Sequence, residues 1–335
     1  MPLPLVLIGV SVVTAAIGVW QGVDGTMDNV KAKEVAGEAT KTYKDAEQSL
    51  HNARQRTQAA LDRLGQLKLK VWDKDLTRFR RLYSQLHPIE MINRVDAEVG
   101  RVPVTRVDLG KMEELSGYAT QALTSGALAL GAGGLAGVAA YGGAMTFAAA
   151  STGTAISALS GAAATNATLA WFGGGSLAAG GLGMAGGTVV LGGLVAGPVL
   201  AVGGLVISAM ARKNLASAKA NLAQAKKAAA EMRAATGIVD GIRKVSSQFR
   251  EMIEKARTRL VVVLRTLEWQ IETYGTDYRQ YDRAQRELVH VAATLAQVTK
   301  GLLETPFLTQ EGALHPHYDH VLENAGRMLE LQGST

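Results

Sequence analysis

Between Glu114 and Arg212 the chain carries no charged side chain. Residues 115–211 hold 23 of its 38 glycines, and Ala, Leu, Val, Ser and Thr make up most of the rest. A soluble domain carries about one charged residue in four. A gap of this length therefore implies an apolar surrounding. It offers room for about two to four membrane-spanning helices of about 20 residues each.

The stretch reads as two spans, residues 119–150 and 176–211. They are separated by a more polar region with breaks at 151–154 and at Gly173, Gly174 and Gly175. Small residues recur four apart at Ala122 and Gly126, at Ala129, Gly133 and Gly137, at Gly183 and Gly187, and at Gly193 and Gly197. Such faces let helix backbones approach closely where no hydrophobic force separates helix from lipid. Gly and Ala carry little transfer free energy, so the stretch is only mildly hydrophobic. That composition suits a segment sheltered by other helices and inserted conditionally.

The basic excess sits directly after this stretch. Residues 212–235 carry Arg212, Lys213, Lys219, Lys226, Lys227 and Arg233 against Glu231, a net +5 in a chain whose total is +6. This placement predicts a cytoplasmic flank held by anionic lipid. Residues 3–23 are also uncharged and have the length of one span. Trp20 stands at the end expected for an interfacial aromatic, and Gly18 and Gly22 form a close-approach pair. The first basic side chain is Lys31, so this segment reads as an N-out anchor rather than a signal peptide.

Helix formers dominate the flanks, and the fold class expected is all-α. Ala39, Tyr43, Ala46, Leu50, Ala53, Thr57, Ala60, Leu64, Leu67 and Val71 alternate spacings of four and three, a coiled-coil-like seam. His87-Pro88 stops this arm. A second stripe runs through Leu215, Ala218, Leu222, Ala225, Ala229 and Met232. After an interruption at Thr236-Gly237 it resumes from Ile242 to Leu267, and Gly275 marks a break. The division expected is an N-terminal transmembrane helix (1–25), a helical arm (26–88), a linker or hinge (89–114) and the apolar membrane hairpin (115–211). A returning arm (212–305) and a C-terminal tail with a short helix (306–335) complete it. The arms are expected to pack on each other, antiparallel, or on neighbouring copies.

Motifs of chemistry are weak. Gly181-Leu-Gly183-Met-Ala-Gly186 matches a dinucleotide fingerprint but has no acidic residue about 20 positions on. His315-Pro-His317-Tyr-Asp319-His320 has the form of a metal motif but lies near the C-terminus with no later histidine. The absence of cysteine excludes disulfides and thiolate ligands. No enzyme activity, cofactor or metal is expected. The partners expected are a lipid membrane and further copies of the chain, with no nucleic acid.

The segments LDRLGQLKLKVWD and NATLAWFGGGSLAAGGLGMAGGTVVLGGLVAGP, in this order behind an N-terminal apolar helix, resemble a group of bacterial glycine-rich membrane proteins sometimes labelled chemotaxis-like. In architecture the chain is similar to α-helical pore-forming toxins and apolipoprotein-L-like proteins. The resemblance implies a bacterial origin and no settled function; the charge distribution adds the expectation of an inner-membrane location with cytoplasmic arms. The function expected is a homo-oligomer that forms a pore or remodels membrane. The alternatives are a membrane-anchored scaffold that recruits an unidentified protein partner, and a soluble assembly that sequesters the apolar stretch.

Overall fold

The computed structural model describes residues 27–88, 92, 104–124, 138–140, 215–308 and 313–331. The N-terminal apolar segment and most of the uncharged stretch lie outside these residues. Among the described residues the chain is helical without strands, as the composition implies, and no helix is long and apolar enough to cross a membrane. The helices are α1 (Met27–Lys70), α2 (Thr77–Tyr83), α3 (Arg106–Thr124), α4 (Leu215–Tyr274), α5 (Arg283–Glu304) and α6 (Tyr318–Leu331). A π-helical segment, Val71–Leu76, joins α1 to α2.

The chain divides into two units. The first comprises residues 1–53 and 197–238, the second residues 54–196 and 239–335. In the first unit α1 and α4 each present small residues seven apart. Ala32, Ala39, Ala46 and Ala53 are buried on α1, and Ala218, Ala225 and Met232 on α4. Tyr43 and Leu50 fill the remaining α1 positions. Alanine favours the helix and permits close approach of the backbones, but each one buries little apolar area.

The second unit is a bundle in which the two arms run parallel, not antiparallel as expected. Thr57 Oγ1 donates to Val239 O (3.0 Å), and the Lys68 ammonium lies 5.8 Å from the Phe249 ring centroid. Arg257 Nε contacts Asp75 Oδ2 at 2.6 Å, and Arg78 and Arg81 both bind Glu268. Residue numbers rise together along both helices. The return journey belongs to α3. Glu113 meets Arg80 (3.3 Å), Ser116 Oγ donates to Trp72 O (2.9 Å) and Thr120 Oγ1 donates to Asp73 Oδ1 (2.5 Å). Hence α3 runs against the arm.

The π segment makes this docking possible. Widening the helix leaves Trp72 O open to hydroxyl donors, and it accepts from Thr77 Oγ1 (3.1 Å) as well as Ser116. Such bulges disturb the regular i→i−4 ladder. The buried seam slips here too. It follows the expected positions from Ala39 to Thr57, then passes to Leu61, Leu64 and Lys68, leaving Ala60 and Leu67 only partly buried. A straight helix drifts against a seven-residue repeat, and a core ringed by several helices accepts a wider face than a two-helix seam.

α3 starts inside the expected linker and crosses the boundary drawn after Glu114. Thr105 caps it. Its Oγ1 accepts from Asp108 N (3.1 Å), and Asp108 Oδ2 accepts from Thr105 N (3.1 Å) and Thr105 Oγ1 (2.7 Å). Leu115 and Ala119 of the uncharged stretch are therefore part of the bundle core. So are Val138, Ala139 and Ala140, which form a short helical piece. α3 takes residues 119–124 of the first expected span, and residues 138–140 of that span also lie in the core.

α4 passes through Thr236-Gly237 without a break, because one glycine costs a helix interior only about 1 kcal/mol. It ends where expected, at Gly275, whose φ of +81° closes the helix and whose N–H donates to Ile271 O (2.9 Å). His87, joined to Pro88 by a cis peptide bond, pins this turn. Its N–H donates to Thr276 O (2.9 Å) and its carbonyl accepts from Tyr278 N (2.8 Å). A capping box between Asp282 and Gln285 then starts α5. α5 runs back along α4, with Gln270 Nε2 donating to Gln285 O near one end and the Phe249 and Phe307 rings stacked near the other. α6 turns again and follows α4. Gly326 faces Met252, and Arg259 donates to Leu329 O.

The two glycines of α4 and its turn should respond oppositely to alanine. Gly237→Ala, in open space within the helix, raises stability by about 0.5–1 kcal/mol. Gly275→Ala, at positive φ, lowers it by about 1–2 kcal/mol. Urea midpoints followed by circular dichroism check both signs.

Candidate functional site

Two regions carry the chemistry that the sequence singled out. The first is the basic flank on the first unit. Lys219, Lys226 and Arg233 are seven residues apart and so share one stripe of α4, and Lys227 adjoins it. All four are exposed. The stripe lies one residue round from the buried Ala218, Ala225 and Met232, so the packing of α4 through its alanines presents the cations at the edge of the seam. Lys226 Nζ pairs with Glu38 Oε1 at 3.0 Å, both side chains being more than half exposed. A pair so placed contributes little stability and leaves both groups available to other ions. Arg212 and Lys213 lie outside the described residues. So do the packing glycines Gly18, Gly22, Gly126, Gly133, Gly137, Gly183, Gly187, Gly193 and Gly197, and the fingerprint at Gly181, Gly183 and Gly186.

The second region is the place where the uncharged stretch meets the bundle. Ala139 and Ala140 are buried, and Phe307 N donates to Ala140 O at 3.0 Å. The Phe307 ring stacks on Phe249, with centroids 5.2 Å apart and an interplanar angle of 26°. On Phe249 in turn lies the Lys68 ammonium. Lys68 is fully buried, and its Nζ has no hydrogen-bond partner. Burial alone pulls its pKa from the ordinary 10.5 down to about 7. Neighbouring charges are handled differently: Asp75 is buried but paired with Arg257. Asp108 is pushed up by burial, yet the Thr105 hydrogen bonds and Lys300 hold it below the usual carboxylate range.

His315, His317 and His320 stand as neighbours at the start of α6, with ring centroids 5.9 and 6.1 Å apart. Among the described residues, no group of three His, Asp or Glu side chains is placed to hold a metal ion. Another histidine has a structural role: His290, buried on α5, shares a 2.7 Å hydrogen bond with the buried Tyr278 hydroxyl.

The chain matches no protein-family model, no curated protein and no solved structure.

The sequence reading missed Lys68, since a lysine between apolar residues passes for a solvated position. A signal was present: Leu61, Leu64 and Lys68 continue the three-and-four spacing once the seam has slipped. It also missed Phe307, which follows the helix stop at Pro306.

Lys68 gives a measurable pH dependence. Between pH 10.5 and about 7 the unfolded chain holds a proton that the folded core gives up. Stability therefore falls as pH drops through this window and is flat below it. Lys68→Met should stabilise the protein by on the order of 3 kcal/mol at pH 6.5, and by clearly less at pH 10. Equal gains at the two pH values, read from urea midpoints, would show that the amine is not buried uncharged.

Proposed function

We propose that this protein is a homo-oligomeric membrane protein that permeabilises or remodels a bilayer through its uncharged, glycine-rich stretch. In this reading the long helices assemble copies, and the basic stripe of α4 meets anionic lipid. The cytoplasmic membrane of a bacterium is the site that the sequence resemblance and the charge distribution together imply. The observation that carries the reading is the charge gap itself, 97 residues without a charged side chain followed at once by a net +5 segment. Exposure of Lys219, Lys226, Lys227 and Arg233 supports it, because each cation near an anionic surface contributes about 1 kcal/mol of attraction.

A second reading has its own observation. Leu115, Ala119 and residues 138–140 of the uncharged stretch are buried against the bundle. A soluble assembly that shelters the whole stretch in this way needs no bilayer. The two readings describe successive states of one protein if sheltering precedes insertion.

Dye release from vesicles separates them. Full-length protein should empty vesicles containing phosphatidylglycerol and leave phosphatidylcholine vesicles largely sealed. Reversing the stripe with Lys219→Glu, Lys226→Glu, Lys227→Glu and Arg233→Glu together should lower release at least about tenfold at 0.1 M salt. Vesicles that stay sealed at every composition, with protein that carbonate strips from cell membranes, would leave the sheltering assembly as the function.

A further inference from the structure

The second unit contains a fastening whose parts form one chain of contacts. Residues 138–140 of the uncharged stretch sit in the core, tied by the hydrogen bond from Phe307 N to Ala140 O. Phe307 is not on a helix. It lies in the segment between α5 and α6, fully buried, and its own carbonyl accepts from His315 N at 2.8 Å. An isolated bridge between Leu308 and Leu314 closes the same segment on itself. α6 follows as a strap. It buries only Ala325 and Leu329 in full, it is held to α4 by Arg259 through Leu329 O, and it leaves Met328 exposed. Beneath the Phe249–Phe307 stack lies the Lys68 amine, which has no hydrogen-bond partner among the described residues.

We propose that Phe307 and the α6 strap form a latch that holds the head of the uncharged stretch on the bundle, and that lifting the strap releases it. This rests on the reading that the stretch is sheltered before it enters a membrane. Three features separate a latch from ordinary core. Residues 138–140 are joined to a non-helical segment through the backbone hydrogen bond from Phe307 to Ala140. The strap adds few buried residues. Lys68, buried beside the Phe249–Phe307 stack, costs stability at the point of closure. Low-stability elements of this kind are the ones that open without global unfolding.

The chain has no cysteine, so single reporters are simple to install. Val138→Cys in the full-length protein places one thiol in the held piece, Val245→Cys one in the bundle core, and Val262→Cys one on the exposed surface. Maleimide labelling of Cys at 138 should be at least about a hundredfold slower than at 262. Adding Leu329→Glu, or separately Phe307→Pro to remove the N–H donor, should accelerate labelling at 138 by about tenfold or more. The rate at 245 should stay unchanged. Adding Lys68→Met should slow labelling at 138 further. The latch is overturned if residue 138 labels as fast as 262 in the closed protein. It is overturned too if both strap variants leave the rate at 138 unaltered, or if the rates at 138 and 245 rise together, which would mean that the unit opens as one. Vesicle flotation of the same variants is read separately. A released stretch that ignores vesicles keeps the latch and removes the membrane reading.

Discussion

The parallel pairing of α1 and α4 in the second unit is the constraint from which its other contacts follow. Two parallel helices cannot be joined by a hairpin turn, so the chain between them must travel back. α3 makes that journey in the described structure, docking where the π segment opens Trp72 O to the Ser116 hydroxyl. The uncharged stretch is thus an insertion on the return leg of a helical scaffold. It leaves from the end of a helix already committed to the core through Leu115 and Ala119.

The bundle tolerates buried polarity unevenly, and the unevenness is informative. Asp75 is matched by Arg257, Tyr278 by His290, and Thr57 by the Val239 carbonyl, each within hydrogen-bonding distance. These contacts answer a desolvation cost that would otherwise be several kcal/mol per group. Lys68 has no such answer beyond the face of Phe249, a contact worth about 1–2 kcal/mol when desolvated. An apolar residue there would give a more stable bundle. The destabilising group lies next to the aromatic stack that secures residues 138–140, which is where a structure built to release that piece would carry it.

Periodicity told which faces of α1 and α4 would be buried: Ala39, Tyr43, Ala46, Leu50, Ala53, Ala218, Ala225 and Met232 all are. It could not tell direction, because a stripe identifies a face and is the same read from either end. The antiparallel expectation came from treating the uncharged stretch as a simple hairpin. The start of α3 was legible in Thr105-x-x-Asp108, a capping-box pattern, inside the segment 89–114 expected as a linker or hinge. Thr236-Gly237 was given more weight as a breaker than a single glycine has inside a 60-residue helix. Of the functional region, the basic stripe was legible and lies exposed as charge alone implied. The fastening at Phe307 was not, since it depends on residues 140, 249 and 307 meeting through tertiary contacts.

The two units differ in how much packing free energy each residue supplies, and this bears on assembly. The second is filled by Leu, Phe, Trp and Tyr side chains, of which Phe79, Tyr83, Phe249, Tyr278 and Phe307 are completely buried. In the first, the two helices meet mainly through alanines, with Asn221 buried and its Nδ2 without a hydrogen-bond partner. An alanine seam has little area per contact, so its stability depends on many close contacts held in register. A seam of that kind lies nearer to balance with alternatives, including pairing with the same helices of another copy. The first unit also carries the exposed basic stripe. Under the proposed function, assembly of copies and approach to an anionic surface would act on the same weakly packed helices, while the strongly packed bundle keeps its fold.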